Sequence, residues 1–204
     1  MSQHNDTKGY LQFGDQKIEG RLISDSMKDI NFWGELVFST GMTGYQEVMT
    51  DPSYSRQILI FTYPMLGNYG IQSDWEKLES TQIHPTAIIT RTQPQPEFID
   101  WCLKNEVPIL YQIDTRKLVL YLREQGTMIG CITLSNEAIT VPIFDELLVP
   151  QVCSTSEKGA YSLCSELTNG KDRILVLDCG MKNNQLRELQ ALGYDCLICP
   201  WNTD

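Results

Sequence analysis

A chain of 204 residues, at roughly 150 residues per domain, suggests one or two domains. Hydrophobic residues at 42% and charged residues at 21% exclude collagen-like and broadly disordered chains. Sixteen Lys and Arg against 26 Asp and Glu give a net charge of −10, without the basic footprint that a nucleic-acid binder needs.

In chain order, residues 9–14 and 17–23 read as two strands around a tight turn. A third strand is expected over 34–39. A fourth, over 57–62, is apolar almost throughout and so is expected to be buried on both faces. Two more are expected over 87–90 and 107–111. Between them, residues 96–103 carry Phe98, Trp101 and Cys102 at helical spacing, with Pro96 suited to a first turn. Residues 115–125 predict a second helix. Asp114 is its N-cap, Leu118, Tyr121 and Leu122 form its stripe, Arg123 lies in its last turn, and Gly126 is its stop. Strands mixed with helices point to a layered α/β or α+β domain.

Residues 142–170 lose this periodicity, and their later half reads as a linker. The predicted division is 1–150, a linker over 151–172, and 173–204. The last segment reads as one βαβ unit: a strand over 173–177, a helix capped by Asn183 or Asn184 with Leu186, Leu189 and Leu192 on one side, Gly193 as its stop, and a strand over 194–199. One such unit cannot cover both faces of a parallel sheet, and Ile174, Val176, Leu186 and Leu189 are expected on an uncovered face.

No apolar run approaches the roughly 18 residues of a membrane helix. The first eight residues are polar, with no leader pattern. A cytoplasmic protein with no membrane partner is therefore expected. Seven scattered cysteines fit the small buried residues of a reducing compartment. Cys196 and Cys199 are spaced as a C-x-x-C, but they lie in a strand and lack a second pair or a nearby histidine, so no metal is expected.

The two histidines, His4 and His84, sit in a polar tail and before Pro85, and neither is expected to be catalytic. No cysteine lies in a Gly-x-Cys-x-Gly elbow. Gly180 ends a strand before a helix, but the loop lacks G-x-G-x-x-G spacing, and Lys182 reads either as an anion contact or as a solvated lysine. The densest signal is Gly41, Thr43 and Gly44 followed by Thr50-Asp51-Pro52-Ser53. Such a loop either presents donors and hydroxyls to a small polar ligand or is an Asp-Pro turn with a helix cap. Tyr63-Pro64 is a candidate cis bond.

The stretch 38–57, with Thr-Gly-Met-Thr-Gly-Tyr-Gln-Glu and Asp-Pro-Ser-Tyr-Ser-Arg-Gln, resembles the signature of the carbamoyl phosphate synthetase small subunit. Residues 62–71, 113–118 and 125–132 are similar to the family in the same order. Residues 176–184 resemble the first strand and loop of its class I glutamine amidotransferase domain. The resemblance implies a layered β/β/α amino-terminal domain followed by the start of a flavodoxin-like domain. It also implies a glutaminase that passes ammonia from L-glutamine to a large synthetase subunit, which makes carbamoyl phosphate from bicarbonate and ATP for arginine and pyrimidine synthesis. Ser53 and Lys182 map to its substrate-binding residues. ATP and magnesium are implied on the large subunit, with no cofactor on this chain. The family's catalytic Cys, His and Glu are expected beyond Asp204, so these 204 residues are expected to be inert alone. A non-catalytic interaction module and a nucleotide-binding flavodoxin-like domain are the alternatives.

Overall fold

A computed structural model describes residues 6–24, 31–74, 77–142, 148–153, 162–163 and 172–203. His4 and most of the expected linker lie outside the described residues.

The first hairpin is built from β1 (Asp6–Phe13) and β2 (Gln16–Ile23), joined through Gly14, whose φ of 50° lets the chain reverse in two residues. Then come β3 (Asn31–Ser39), α1 (Tyr45–Met49), β4 (Gln57–Phe61), β5 (Ala87–Ile89), α2 (Pro96–Lys104), β6 (Ile109–Tyr111), α3 (Thr115–Gln125) and β7 (Ile129–Thr133). The seven strands close into one barrel in the order β1-β2-β6-β5-β4-β3-β7, with β7 returning to β1. The run β3-β4-β5-β6 is parallel and the remaining pairs are antiparallel. Where stacked β, β and α layers are implied, the sheet thus closes on itself, with α1 and α2 against its outer face and α3 packed on its interior cluster.

The period-two alternation of β4 shows how the core divides. Ile58 and Ile60 join Leu11, Leu36, Ile89, Leu110 and Ile132 inside the barrel, where Leu118, Val119 and Leu122 of α3 also pack. Leu59 and Phe61 face outward and pack with Met49 of α1 and with Phe98, Ile99 and Cys102 of α2. The fourth strand is therefore buried on both faces as expected. Both expected helices form. Asp114 accepts the Lys117 N–H at 3.1 Å, and Gly126 stops α3 at φ 83°. Tyr63-Pro64 is trans, since no cis bond occurs among the described residues.

At the barrel's edge, Asp6 accepts from Arg21 Nη2 at 2.6 Å and Nε at 3.0 Å, and also from the Tyr111 hydroxyl. These bonds, Arg21 first, lower the Asp6 carboxyl from its ordinary 3.8 to about 2. A depressed folded pKa gives stability that is complete above the unfolded value and fades as pH falls through the folded one. Wild type should therefore lead Asp6→Asn in melting temperature at pH 5, with the lead shrinking between pH 4 and 2. A lead independent of pH would show that the charge contributes nothing.

Beyond the barrel lie α4 (Val149–Val152), β8 (Ser162–Leu163), β9 (Arg173–Asp178), α5 (Asn183–Ala191) and β10 (Asp195–Pro200). β10 pairs in parallel with β9 and antiparallel with β8. The expected βαβ unit forms, with two corrections. Lys182, not Asn183 or Asn184, is the cap residue of α5, because the helix begins one residue earlier. Leu192 lies beyond the helix and is 73% exposed, and the uncovered apolar side chains are Leu175 and Leu177. Ile174 and Val176 point to the other face and are half-buried, as are Leu186 and Leu189. Cys196 and Cys199 are buried free thiols, and no metal-binding cluster occurs among the described residues. No helix of those residues is long and apolar enough to cross a membrane.

Candidate functional site

The glycine- and hydroxyl-rich stretch after β3 runs along the outer face of the barrel as loop, α1 and a single 3-10 turn at Pro52–Tyr54. Gly44 takes φ 78°, which opens α1 without a side-chain cap. The Tyr69 hydroxyl supplies what the cap lacks, accepting the Gly44 N–H at 2.6 Å and the Tyr45 N–H at 3.3 Å. The Tyr45 hydroxyl donates to the Gly70 carbonyl at 2.5 Å, and the two tyrosine rings stack at 4.3 Å. Burial pushes the Tyr45 phenol up to about 12, so it remains a donor. Gln46, 3% exposed, bonds the backbone of Gln72 through both amide atoms, at 2.6 and 3.1 Å. The loop is thus pinned to residues 69–72 along its length.

Both alternatives for the Asp-Pro segment meet at Asp51. Its Oδ1 accepts the Ser53 N–H at 3.0 Å, the expected turn chemistry. Its Oδ2 receives Lys182 Nζ at 2.6 Å from the other sheet. That hydrogen bond raises the Lys182 pKa and keeps the ammonium charged. Lys182 is therefore ion-paired while its side chain stays 42% exposed, and the two residues singled out in the sequence meet through one buried carboxylate. Ser53 is exposed and lines a cleft of about 270 Å³ with Glu35, Arg56, Gln57 and Leu148.

The loop bearing Lys182 is shaped by Asp178, fully buried, which accepts the N–H groups of Gly180 at 2.9 Å and Met181 at 3.1 Å. Gly180 sits at φ 101°, and a Cβ there would lie 2.6 Å from Val152 and 3.6 Å from Pro52. The loop therefore packs directly on the Ser53 turn.

Residues 77–84 complete the cluster. His84 is 8% exposed, and its Nε2 lies 2.9 Å from Ser80 Oγ. The pair does not form a nucleophile and base. The serine proton is directed to the Thr50 carbonyl at 2.7 Å, so the ring donates to the hydroxyl instead of accepting from it. Burial lowers the His84 pKa, which favours this neutral donor. The described residues of the site contain no activated nucleophile. The turn role of Asp51 is legible locally, but its pairing with Lys182 and the Ser80 bond to Thr50 carry no local sequence signal, because those partners come from distant parts of the chain.

Residues 11–132 match the family described as carbamoyl-phosphate synthase small chain, CPSase domain. The chain is similar to the carbamoyl phosphate synthase small chain of Caldanaerobacter subterraneus subsp. tengcongensis, at 37% identity over 96% of this chain and 54% of that protein. It is also similar to the small chain of Gracilaria tenuistipitata var. liui, at 39% identity over 82% of this chain and 49% of that one. A third similar protein is the multifunctional protein CAD of Squalus acanthias, at 38% identity over 91% of this chain but 9% of that protein. The chain thus spans about half the length of the small chains it matches.

Proposed function

The chain belongs to the carbamoyl-phosphate synthase small-chain family, and from that premise we propose that it is the amino-terminal part of a glutaminase subunit. The subunit releases ammonia from L-glutamine in the cytoplasm and hands it to a large synthetase subunit. The partner uses bicarbonate and ATP, with magnesium, to make carbamoyl phosphate. Residues 1–150 are the amino-terminal domain built on the closed barrel, 151–172 a linker, and 173–204 the opening of a flavodoxin-like class I amidotransferase domain. The 204 residues hold no Gly-x-Cys-x-Gly elbow and alone hydrolyse no glutamine.

The observation that carries this reading is the meeting of Lys182 and Ser53 at Asp51. It supports the reading by tying the turn that carries the exposed serine to the loop before α5, and in the proposed site the serine hydroxyl bonds the polar end of glutamine. Asp51 supplies the turn's cap, so Ser53→Ala should leave stability within about 0.5 kcal/mol of wild type. A neutral hydrogen bond is worth about 0.5–1.5 kcal/mol. In the full-length subunit paired with its synthetase, Ser53→Ala should therefore raise the KM for glutamine roughly 2- to 13-fold, with a smaller effect on kcat. Synthesis from ammonia should be unchanged. An unchanged glutamine KM with a lowered melting temperature would remove Ser53 from the site.

A further inference from the structure

The amino terminus of α5 is capped from the barrel side of the molecule, by a residue more than a hundred positions earlier. Glu79 approaches it three ways. Its carbonyl accepts the Asn183 N–H at 2.8 Å, its Oε2 accepts the Asn184 N–H at 3.0 Å, and its Oε1 lies 3.4 Å from Arg187 Nη2. The neighbouring Leu78 carbonyl accepts from Asn183 Nδ2 at 3.2 Å and from Arg187 Nη1 at 3.1 Å. The Glu79 side chain is only 13% exposed. A carboxylate here meets unsatisfied N–H groups and the positive end of the helix together.

The other end of Glu79 is tied as firmly. Its N–H donates to Thr50 Oγ1 at 3.1 Å, and Ser80 Oγ donates to the Thr50 carbonyl at 2.7 Å. Thr50 is fully buried, and it immediately precedes Asp51. One short path therefore runs from the Ser53 turn through Thr50 and Glu79 to the first residues of α5, and Lys182 stands at the N-cap position of that helix without a capping bond from its own side chain.

We propose that Glu79 is a positioning residue that fixes the Lys182 loop against the Ser53 turn by capping α5 across the two sheets. The proposal rests on the glutamine reading above for its kinetic part and on the geometry alone for its structural part. An ion pair with Arg187 by itself would survive exchange of the two charges. Capping would not, because an arginine at position 79 cannot accept the Asn184 N–H.

The test uses the full-length subunit assembled with its synthetase, as Glu79→Ala, Glu79→Gln, and Glu79→Arg combined with Arg187→Glu. In Glu79→Ala the Asn184 amide should exchange roughly ten- to a hundred-fold faster, the factor expected for losing a charge-assisted bond, and the Asn183 amide, still held by the carbonyl of residue 79, should change less. The β4 amides should hold their protection. The glutamine KM should rise by about tenfold at constant ammonia-dependent rate. Glu79→Gln, which keeps one acceptor, should fall between, and the charge exchange should restore neither readout. Unchanged α5 amides, equal acceleration in β4, recovery in the exchanged pair, or an unchanged glutamine KM would each overturn the proposal. Failure of the glutamine reading is told apart by Ser53→Ala, which would then leave the KM alone while the exchange data still report on the cap.

Discussion

Gly34→Ala should destabilise the protein by about 3 kcal/mol, the upper part of the range for over-packing. A Cβ at position 34 would lie 2.7 Å from the Arg56 carbonyl oxygen, 2.9 Å from the Ile58 nitrogen and 3.0 Å from the Gln57 carbonyl carbon. All three are backbone atoms, so no side chain can rotate away. Only a wider separation of β3 and β4 relieves the clash, and that separation strains the ladder beginning at the Glu35 N–H to Arg56 carbonyl bond of 3.3 Å. Arg56 already holds φ 58°, so the turn has little freedom to follow. Because Ser53 lies three residues before Arg56, the glutamine contact proposed for Ser53 should be disturbed by the same change. Urea unfolding of the variant reports the first effect. A loss below 1 kcal/mol would mean that β3 shifts without cost.

Phe98→Ala is expected to cost more, about 3–5 kcal/mol, as for a large aromatic removed from a packed core. Phe98 is fully buried. Its ring meets Tyr45 edge-on at 5.4 Å and Trp101 at 5.8 Å, and its Cβ lies beneath Gly67. For a chain of this size each kcal/mol moves the melting temperature by about 2–4 °C, so a fall of roughly 6–20 °C is expected. The ring also backs Tyr45, which ties α1 to Gly70. Phe98→Leu should recover most of the stability but not the edge contact. Equal melting temperatures for the alanine variant and wild type would show that the neighbouring side chains close the gap.

The sequence shows most plainly those elements whose forces are local or repeated. Gln57–Phe61 could be read as buried on both faces because its apolar run leaves no polar side for solvent. The caps at Asp114 and Gly126 mark α3 because a side-chain acceptor and a left-handed residue are short-range devices. Tyr45–Met49 escapes such reading, since five residues give no helical period and its start is capped by a tyrosine hydroxyl from Tyr69. Ile129–Thr133 escapes because Gly130 breaks the alternation, leaving room for Leu36 where a side chain would stand. The site follows the same division. Asp51-Pro52-Ser53 could be read as a turn, but Ser53 and Lys182 were paired only by family resemblance. Glu79 sits in a polar turn, and its acceptors matter only once α5 has folded beside it.

Closure of the barrel by β1 against β7 shapes how the chain behaves while it is being made. Leu11 pairs with Ile132, so the first strand waits on the ribosome for the last strand of the barrel. Until Ile129–Thr133 emerges, β1 and β3 each present an edge that the finished barrel hides. Pairings of such long separation form late and together, so the nascent segment passes directly from open and sticky to sealed. The sheet of β8, β10 and β9 emerges afterwards and meets a completed surface bearing Glu79 and Asp51.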